Sequence, residues 1–323
     1  MKAAVYYENG SPEVFRYEDV ADPTPRPTEV LVAVEAVSIE GGDTLNRLGG
    51  ALNSSPHIVG YQAAGTVIGL GEQVTNFAVG DRVVTIGMDG SHAEQRTADQ
   101  SATWKIPEGL DTVDASVVPV GFGTAHDCLF EFGRLQAGET VLVHAGAGGV
   151  GVAAIQFAHR AGARVLATAS SHDRLERLRE LGLDEGINYV ADDFVAAARS
   201  LTEGRGVDVI VDSVGGETLR GSLAALAYRG RCVSVGDAGR GTPEPLDVSN
   251  MRGNNQTLVG YFLGAELFSG DRAYKMIAGI LDDMAAGSIR AVVDRVFPLE
   301  EAGAAHAYIE SRQAFGRVLL TTG

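Results

Sequence analysis

Thr140-Val-Leu-Val-His-Ala-Gly-Ala-Gly-Gly-Val-Gly151 reads as a short buried strand that breaks into Gly146-x-Gly148-x-x-Gly151 and runs on into a helix. This spacing gives the geometry that a dinucleotide pyrophosphate needs. Gly146 permits a tight turn, Gly148 lets the backbone approach the phosphates, and Gly151 lets the helix pack close to the strand. The helix N-terminus then offers free N–H groups and a positive dipole end to the anion. Glycine-rich turns are common, so the context carries the reading. An apolar strand precedes the glycines, a helix over 150–161 follows and closes at Gly162, and a second apolar strand spans 164–169.

The same alternation continues outward. Strands at 140–144, 164–169, 187–189, 207–212, 231–235 and 257–262 are separated by helical patterns at 150–161, 173–181, 193–201 and 217–227. Six strands with intervening helices predict a six-stranded, parallel, doubly wound α/β sheet over about 119–265. Residues 1–118 look all-β, with short alternating runs at 29–37, 65–70 and 82–86 separated by Gly, Pro and Asp turns. From 266 a long helix (271–286), a strand (292–297), a helix (299–311) and a final strand (317–321) are expected to pack back on the N-terminal β-rich part.

With 323 residues, two domains are expected. No apolar run is long enough to span a bilayer, and the start lacks the apolar stretch of a signal peptide. A net charge of −16 argues against nucleic acid or an anionic membrane as partner. Cys128 and Cys232 belong to no paired motif. Read as small buried thiols, they suit a reducing cytoplasm.

The end of the second strand speaks to the nucleotide. NAD sites place an acid there for the ribose 2′-hydroxyl. Here Ser170 and Ser171 stand instead, and Arg174 follows one turn later, where a guanidinium can hold a 2′-phosphate. Ser171 also reads as a helix N-cap and Arg174 as a solvated helix residue. Asp173 would be the NAD acid in a shifted register, but an acid equally suits the first helical turn. The balance favours NADP(H).

Beyond these readings, the chain resembles the medium-chain dehydrogenase/reductase superfamily in its zinc-free quinone oxidoreductase (zeta-crystallin-like) branch. The resemblance rests on Ile58-Val-Gly-Tyr-Gln-Ala-Ala-Gly-Thr-Val67, Val79-Gly-Asp-Arg-Val83, Leu135-Gln-Ala-Gly-Glu-Thr-Val141, the glycine loop, Val207-Asp-Val-Ile-Val-Asp-Ser-Val-Gly-Gly216 and Phe315-Gly-Arg-Val-Leu-Leu320. It implies a Rossmann domain at 119–265 and a GroES-like β-rich domain made of 1–118 and 266–323, with the cofactor in the cleft between them. It also implies a homodimer through the last Rossmann strand. The cofactor residues it implies are Thr124, Gly146, Gly148, Gly149, Val150, Gly151, Tyr189, Val214, Gly215, Gly236, Phe262, Leu263 and Arg317, beside Ser170, Ser171 and Arg174. Thr124 also reads as a helix N-cap, Tyr189 as a half-buried strand aromatic and Arg317 as a surface residue.

Zinc-dependent relatives carry Gly-His-Glu where this chain has Gly60-Tyr61-Gln62, and a cysteine in the loop that here runs 38–43. Neither zinc site has its cysteines, so no metal is expected. Without that Lewis acid, hydride delivery to an already electrophilic carbon remains. Quinones and α,β-unsaturated carbonyls qualify as small-molecule acceptors. Tyr61 is the best phenol available to donate a hydrogen bond or proton to the developing enolate, or else it fills the space of an absent metal. Asp43 either orients the substrate or caps the helix over 44–47. The segment Ser38-Ile-Glu-Gly-Gly-Asp43 departs from the branch's Asn-x-x-Asp, and Arg47-Leu-Gly-Gly-Ala51 lacks its tyrosine, which leaves the acceptor open. The leading expectation is an NADPH-dependent quinone or enone reductase. An enoyl-thioester reductase and a non-catalytic NADP(H)-binding sensor or structural protein stand as alternatives.

Overall fold

Val141, Leu142 and Val143 are fully buried, because a parallel strand covered on both faces needs an unbroken apolar run. In the computed structural model, which describes residues 1–241, 245–246 and 248–323, that run is the strand Thr140–Val143 at the centre of a six-stranded sheet. From one edge to the other the strands are Glu185–Asn188, Arg164–Ala169, Thr140–Val143, Val207–Asp212, Leu226–Ser234 and Thr257–Gly260, all parallel. Numbered along the chain the order is 3-2-1-4-5-6, the doubly wound arrangement expected. Leu142, Leu166, Ile187 and Ile210 form one apolar layer, closed by Phe194 and Leu223 from the crossover helices.

The chain divides into two compact units, Phe122–Ala265 around this sheet, and Met1–Gly121 with Glu266–Gly323. The main sheet of the second of these follows the order Val293–Pro298, Arg317–Thr321, Glu29–Ser38, Gln62–Leu70, Arg82–Ile86, Thr103–Lys105. Gln95–Asp99 also pairs with Glu29–Ser38. Apart from the parallel pair Val293–Pro298 and Arg317–Thr321, its ladders are antiparallel. The C-terminal segment joins this sheet by pairing Arg317–Thr321 with Glu29–Ser38. Trp104 is 1% exposed; it stacks on Tyr274 with ring centroids 5.1 Å apart and donates Nε1–H to the Tyr274 carbonyl.

Three local expectations need correction. Residues 1–118 are not all-β, since Gly41–Gly49 and Thr112–Ser116 are helical. The buried positions of Gly41–Gly49 are Asp43, Thr44 and Arg47, while Leu45 and Leu48 are exposed. An inverted amphipathic pattern hides a helix from a search for apolar periodicity. The helix expected through 227 stops at Ala225, and the next strand starts at Leu226 rather than 231. Leu226 and Ala227 are buried and extended, so the apolar run that looked like a last helical turn is a strand start.

Arg47 is fully buried. It donates Nε–H to the Gly10 carbonyl at 3.0 Å and pairs with Glu310 at 2.5 Å. Its Nη1 lies 3.3 Å from His306 Nδ1, whose Nε2 lies 3.0 Å from His92 Nε2. Burial pushes His92 down to about 3 and His144 to about 4, and holds His57 and His306 below the ordinary 6.5. On unfolding these rings take up protons below pH 6.5, so the unfolded chain binds more protons there and stability falls with falling pH. Asp43 and Asp114, raised by burial, pull the other way, but they are two groups against four. Each fully separated histidine contributes a slope of up to about 1.4 kcal/mol per pH unit. Thermal melting at constant ionic strength is therefore expected to give a lower midpoint at pH 5 than at pH 7.5. Equal midpoints reject this account.

Candidate functional site

The glycine loop shows what each glycine does. Gly148 precedes the helix Gly149–Arg160 with extended dihedrals (φ −86°, ψ 171°). A Cβ on Gly148 meets only the Ala145 carbonyl oxygen, at 3.2 Å, so the space in front of the helix is open. A Cβ on Gly151 lies 2.4 Å from the Ala145 oxygen and 2.6 Å from the Gly146 oxygen. Gly151 is therefore what lets the helix close on its own entry turn. Gly146 plays a different part from the one expected. It has no positive φ; its missing side chain makes room for Ala167 Cβ (2.9 Å) and Leu178 Cδ1 (3.0 Å). The left-handed residue of the turn is Ala145 (φ 48°). It is held by Thr168, whose Oγ1 accepts the Ala145 N–H at 3.3 Å and whose carbonyl accepts the Gly146 N–H at 2.9 Å. Gly149 and Val150, half-buried, form the first helical turn, where backbone N–H groups lack intrahelical partners. The cradle fits a pyrophosphate in volume, donors and dipole.

Next to it lies the corner that reads the ribose. Ser171 is the N-cap of His172–Arg179, with Oγ accepting the Arg174 N–H at 3.4 Å. Asp173 sits in the first turn of that helix. Asn188 pairs in register with Ala169, and Tyr189 donates its N–H to the Ala169 carbonyl at 3.2 Å, so Tyr189 stands beside Ser170. The Tyr189 side chain is 47% exposed, not the half-buried strand aromatic of the alternative reading.

Two further loops leave the same sheet edge and interlock. Gly215 (φ 75°) precedes the helix Gly216–Ala225, and a Cβ there lies 2.4 Å from Asp237 Oδ1. Ala238 and Gly239 donate to the Ser213 and Val214 carbonyls, which sets Gly236 against the turn. Phe262 is 56% exposed, whereas Leu263 is buried. Thr124 is 5% exposed and lies inside a helix, since Phe122 ahead of it already has helical dihedrals (φ −77°, ψ −39°). The N-cap reading of Thr124 is thereby corrected.

In the N-terminal unit, Tyr61 and its surroundings form a second group. Asn46 Nδ2 donates to the Tyr61 oxygen at 3.0 Å. Burial first, then the charge of Asp43, push the phenol above its ordinary value of 10, against the hydrogen bond from Asn46. Arg96 and Gly87 donate to the Tyr61 carbonyl. The ring lies over Gly42, where a Cβ would sit 2.4 Å from Tyr61 Cε2. Asp43 is fully buried; its oxygens accept the N–H of Glu40 at 2.8 Å and of Tyr61 at 3.2 Å. It is closed to substrate, and it caps the helix from within as the carboxylate of a capping box whose N-cap is Glu40. It is the third helical residue bonding back to Glu40, and so positions Tyr61. Asn46, Gly42 and Arg96 escaped the sequence reading because no motif marks them; the inverted amphipathicity of 41–49 signals the first two, and nothing local signals Arg96.

The surface reading of Arg317 is also corrected. The residue is 6% exposed, donates Nε–H and Nη2–H to Ser38 Oγ at 2.9 and 2.7 Å, and pairs with Glu40. Gln62 completes the cluster, donating to Glu40 at 2.5 Å and accepting the Val120 N–H at 2.9 Å. These residues do not fit a zinc ion. The positions that carry its ligands in zinc-dependent relatives hold a hydroxyl bound to a guanidinium, a phenol and an engaged amide, with no thiolate or imidazole among them. Cys128 and Cys232 are buried, and burial pushes both thiols up, away from the ligating thiolate form.

The two loop glycines separate experimentally. Gly151→Ala drives a Cβ into two backbone carbonyls and is expected to cost at least about 1–3 kcal/mol of stability in denaturant unfolding. Gly148→Ala is expected to fold normally and to weaken dinucleotide binding measured by fluorescence titration. The opposite pattern would refute this division of labour.

Comparison with known proteins agrees with this geometry. Residues 149–279 match the family model described as zinc-binding dehydrogenase, and residues 26–108 match that of the alcohol dehydrogenase GroES-like domain. A 2-haloacrylate reductase of Burkholderia sp is 33% identical, over 98% of this chain and 98% of its own length. The quinone oxidoreductase of Sus scrofa is 31% identical, over 99% of this chain and 97% of its own. A solved structure of mycobacterial Rv1454c complexed with NADPH is 33% identical over 99% of this chain and 100% of that one, with a TM-score of 0.93. With a Rossmann sheet, a GroES-like domain and relatives matched end to end, the chain belongs to the medium-chain dehydrogenase/reductase superfamily, in its quinone oxidoreductase branch.

Proposed function

We propose that the chain is an NADPH-dependent, zinc-independent reductase that transfers a hydride to a quinone or an α,β-unsaturated carbonyl. The observation that carries the cofactor choice is the corner at Ala169. Ser170, Ser171, Arg174 and Tyr189 gather there, and Asp173, the acid next to Arg174, lies in a helical turn that its charge stabilises. Hydroxyls and a guanidinium suit a 2′-phosphate, where an NAD site would present an acid. The relatives named for reduction of quinones and 2-haloacrylates act on electrophilic carbons of this kind.

Bound NADPH supplies the hydride. Gly148, Gly149, Val150 and Gly151 would hold the pyrophosphate, and Val214, Gly215, Gly236, Thr124, Phe262 and Leu263 would line the remainder of the cofactor. Tyr61 accepts from Asn46 and so keeps its own O–H for a developing oxyanion. Its raised pKa keeps the phenol protonated at neutral pH, as a donor must be.

Two further assignments belong to the same reading. The strand Thr257–Gly260 is an unpaired sheet edge among the described residues, and Tyr228, Val248 and Phe262 in the last part of this unit are exposed apolar side chains. Such an edge suits pairing with a second copy, giving a homodimer. Buried, unpaired thiols at Cys128 and Cys232 suit a cytoplasmic location. No helix of the described residues is long and apolar enough to cross a membrane.

Mixing the protein with NADPH and a panel of quinones and enones should oxidise the nicotinamide, followed by its absorbance. Tight NADPH binding without turnover on any acceptor would overturn the enzyme reading. Arg174→Ala should weaken NADPH about 10- to 100-fold and leave NADH affinity unchanged; equal losses for both refute the 2′-phosphate assignment. Tyr61→Phe should lower kcat at saturating acceptor by about 10²-fold. An unchanged single-turnover rate rejects the donor role.

A further inference from the structure

Beneath the two cofactor loops lies a file of buried polar groups that no step above uses. His144 ends the central strand and is 2% exposed; Thr168, Asp212 and Ser222 are equally buried. Ser222 Oγ lies 2.7 Å from Asp212 Oδ2 and 3.0 Å from His144 Nε2. His144 Nδ1 lies 3.1 Å from Thr168 Oγ1, which accepts the Ala145 N–H. Asp212 Oδ1 accepts the N–H groups of Val214 and Gly215, each at 2.9 Å.

Counting protons gives this file one direction. Ser222 has a single hydroxyl proton, and of its two oxygen acceptors, Asp212 Oδ2 at 2.7 Å and the Thr218 carbonyl at 2.9 Å, the carboxylate is the nearer and the stronger. His144 Nε2 therefore carries the ring proton and donates to Ser222, so Nδ1 is an acceptor. Thr168 then donates to Nδ1 while its oxygen receives Ala145 N–H. The reverse polarity leaves the Thr168 hydroxyl proton with no acceptor among the described residues. Every group has a partner in the forward direction only. A hydrolytic triad is excluded by the order, because Ser222 stands between the imidazole and the carboxylate.

We infer that Thr168, His144, Ser222 and Asp212 are positioning residues that lock the pyrophosphate loop (145–151) to the neighbouring loop 213–216 through one unidirectional hydrogen-bond relay. The two loops leave adjacent strands, Thr140–Val143 and Val207–Asp212, and both must meet one rigid cofactor. At one end the relay pins Ala145, the left-handed residue that starts the first loop; at the other it pins Val214 and Gly215. Phe194 packs edge-on against His144 at 4.7 Å and keeps the file dry. Burial holds the imidazole neutral, as its acceptor role requires. The energetic consequence is coupling: breaking the relay at any link releases the same constraint.

This inference rests on the NADPH reading, and the test separates the two. Thr168→Val and Ser222→Ala break the relay at opposite ends, and Thr168→Ser retains the hydroxyl. The NADPH dissociation constant and the melting temperature are measured for the full chain, with KM for NADPH and kcat in the reductase assay. Each break should weaken NADPH about tenfold, and the double variant should also lose about tenfold rather than a hundredfold. KM should move much more than kcat, and Thr168→Ser should bind NADPH within about twofold of the parent. Losses that multiply in the double variant, or folded variants that bind as tightly as the parent, overturn the relay alone. A parent protein that binds no NADPH overturns the cofactor reading and this inference with it.

Discussion

In the nucleotide-binding unit, the rest depends on how closely the helix Gly149–Arg160 approaches the turn that launches it. With Gly151 against the carbonyls of Ala145 and Gly146, no side chain fits between helix and turn. That contact sets the angle at which the helix leaves the sheet, and so where its N-terminal N–H groups point. Gly146 does the same one layer down, against Ala167 and Leu178. The turn itself depends on Ala145 adopting a left-handed conformation, which costs a residue with a Cβ of order 1 kcal/mol. Thr168 holds it there with a hydroxyl and a carbonyl. The phosphate cradle is thus a packing result first and an electrostatic one second.

The other unit is organised by buried charge. Arg47 and Arg317 both lie inside it, each with a carboxylate partner and additional acceptors. A buried ion pair returns little net stability, because desolvation offsets the attraction. What it does supply is geometry, since a guanidinium with several fixed acceptors admits one arrangement. Arg317 ties the last strand to Ser38 and Glu40, and Glu40 in turn holds Gln62, the neighbour of Tyr61. The residues at the former metal position are therefore held by a cation that belongs to the chain itself.

Much of this was legible in the sequence. Continuous apolar runs and glycine spacing marked the six parallel strands and the phosphate loop, because burial on both faces and close approach leave compositional traces. The serine–serine–arginine corner was legible for the same reason: an acid's absence at a defined strand end is visible. The burial of Arg317 is not legible, because a charged residue is expected outside, and only long-range partners reveal why it lies within. Arg317 and Ser38 are 279 positions apart, and no local pattern connects them. The relay through His144 is hidden likewise, since its four residues come from two strands, the turn after a third and a helix.

Gly42 and Tyr61 occupy one shared volume. The ring covers the glycine so closely that a side chain at 42 and the ring at 61 cannot both keep their places. A larger residue at 42 needs the ring at 61 to move or shrink, whereas a smaller residue at 61 leaves Gly42 undisturbed. The steric constraint between the two positions therefore runs in one direction only.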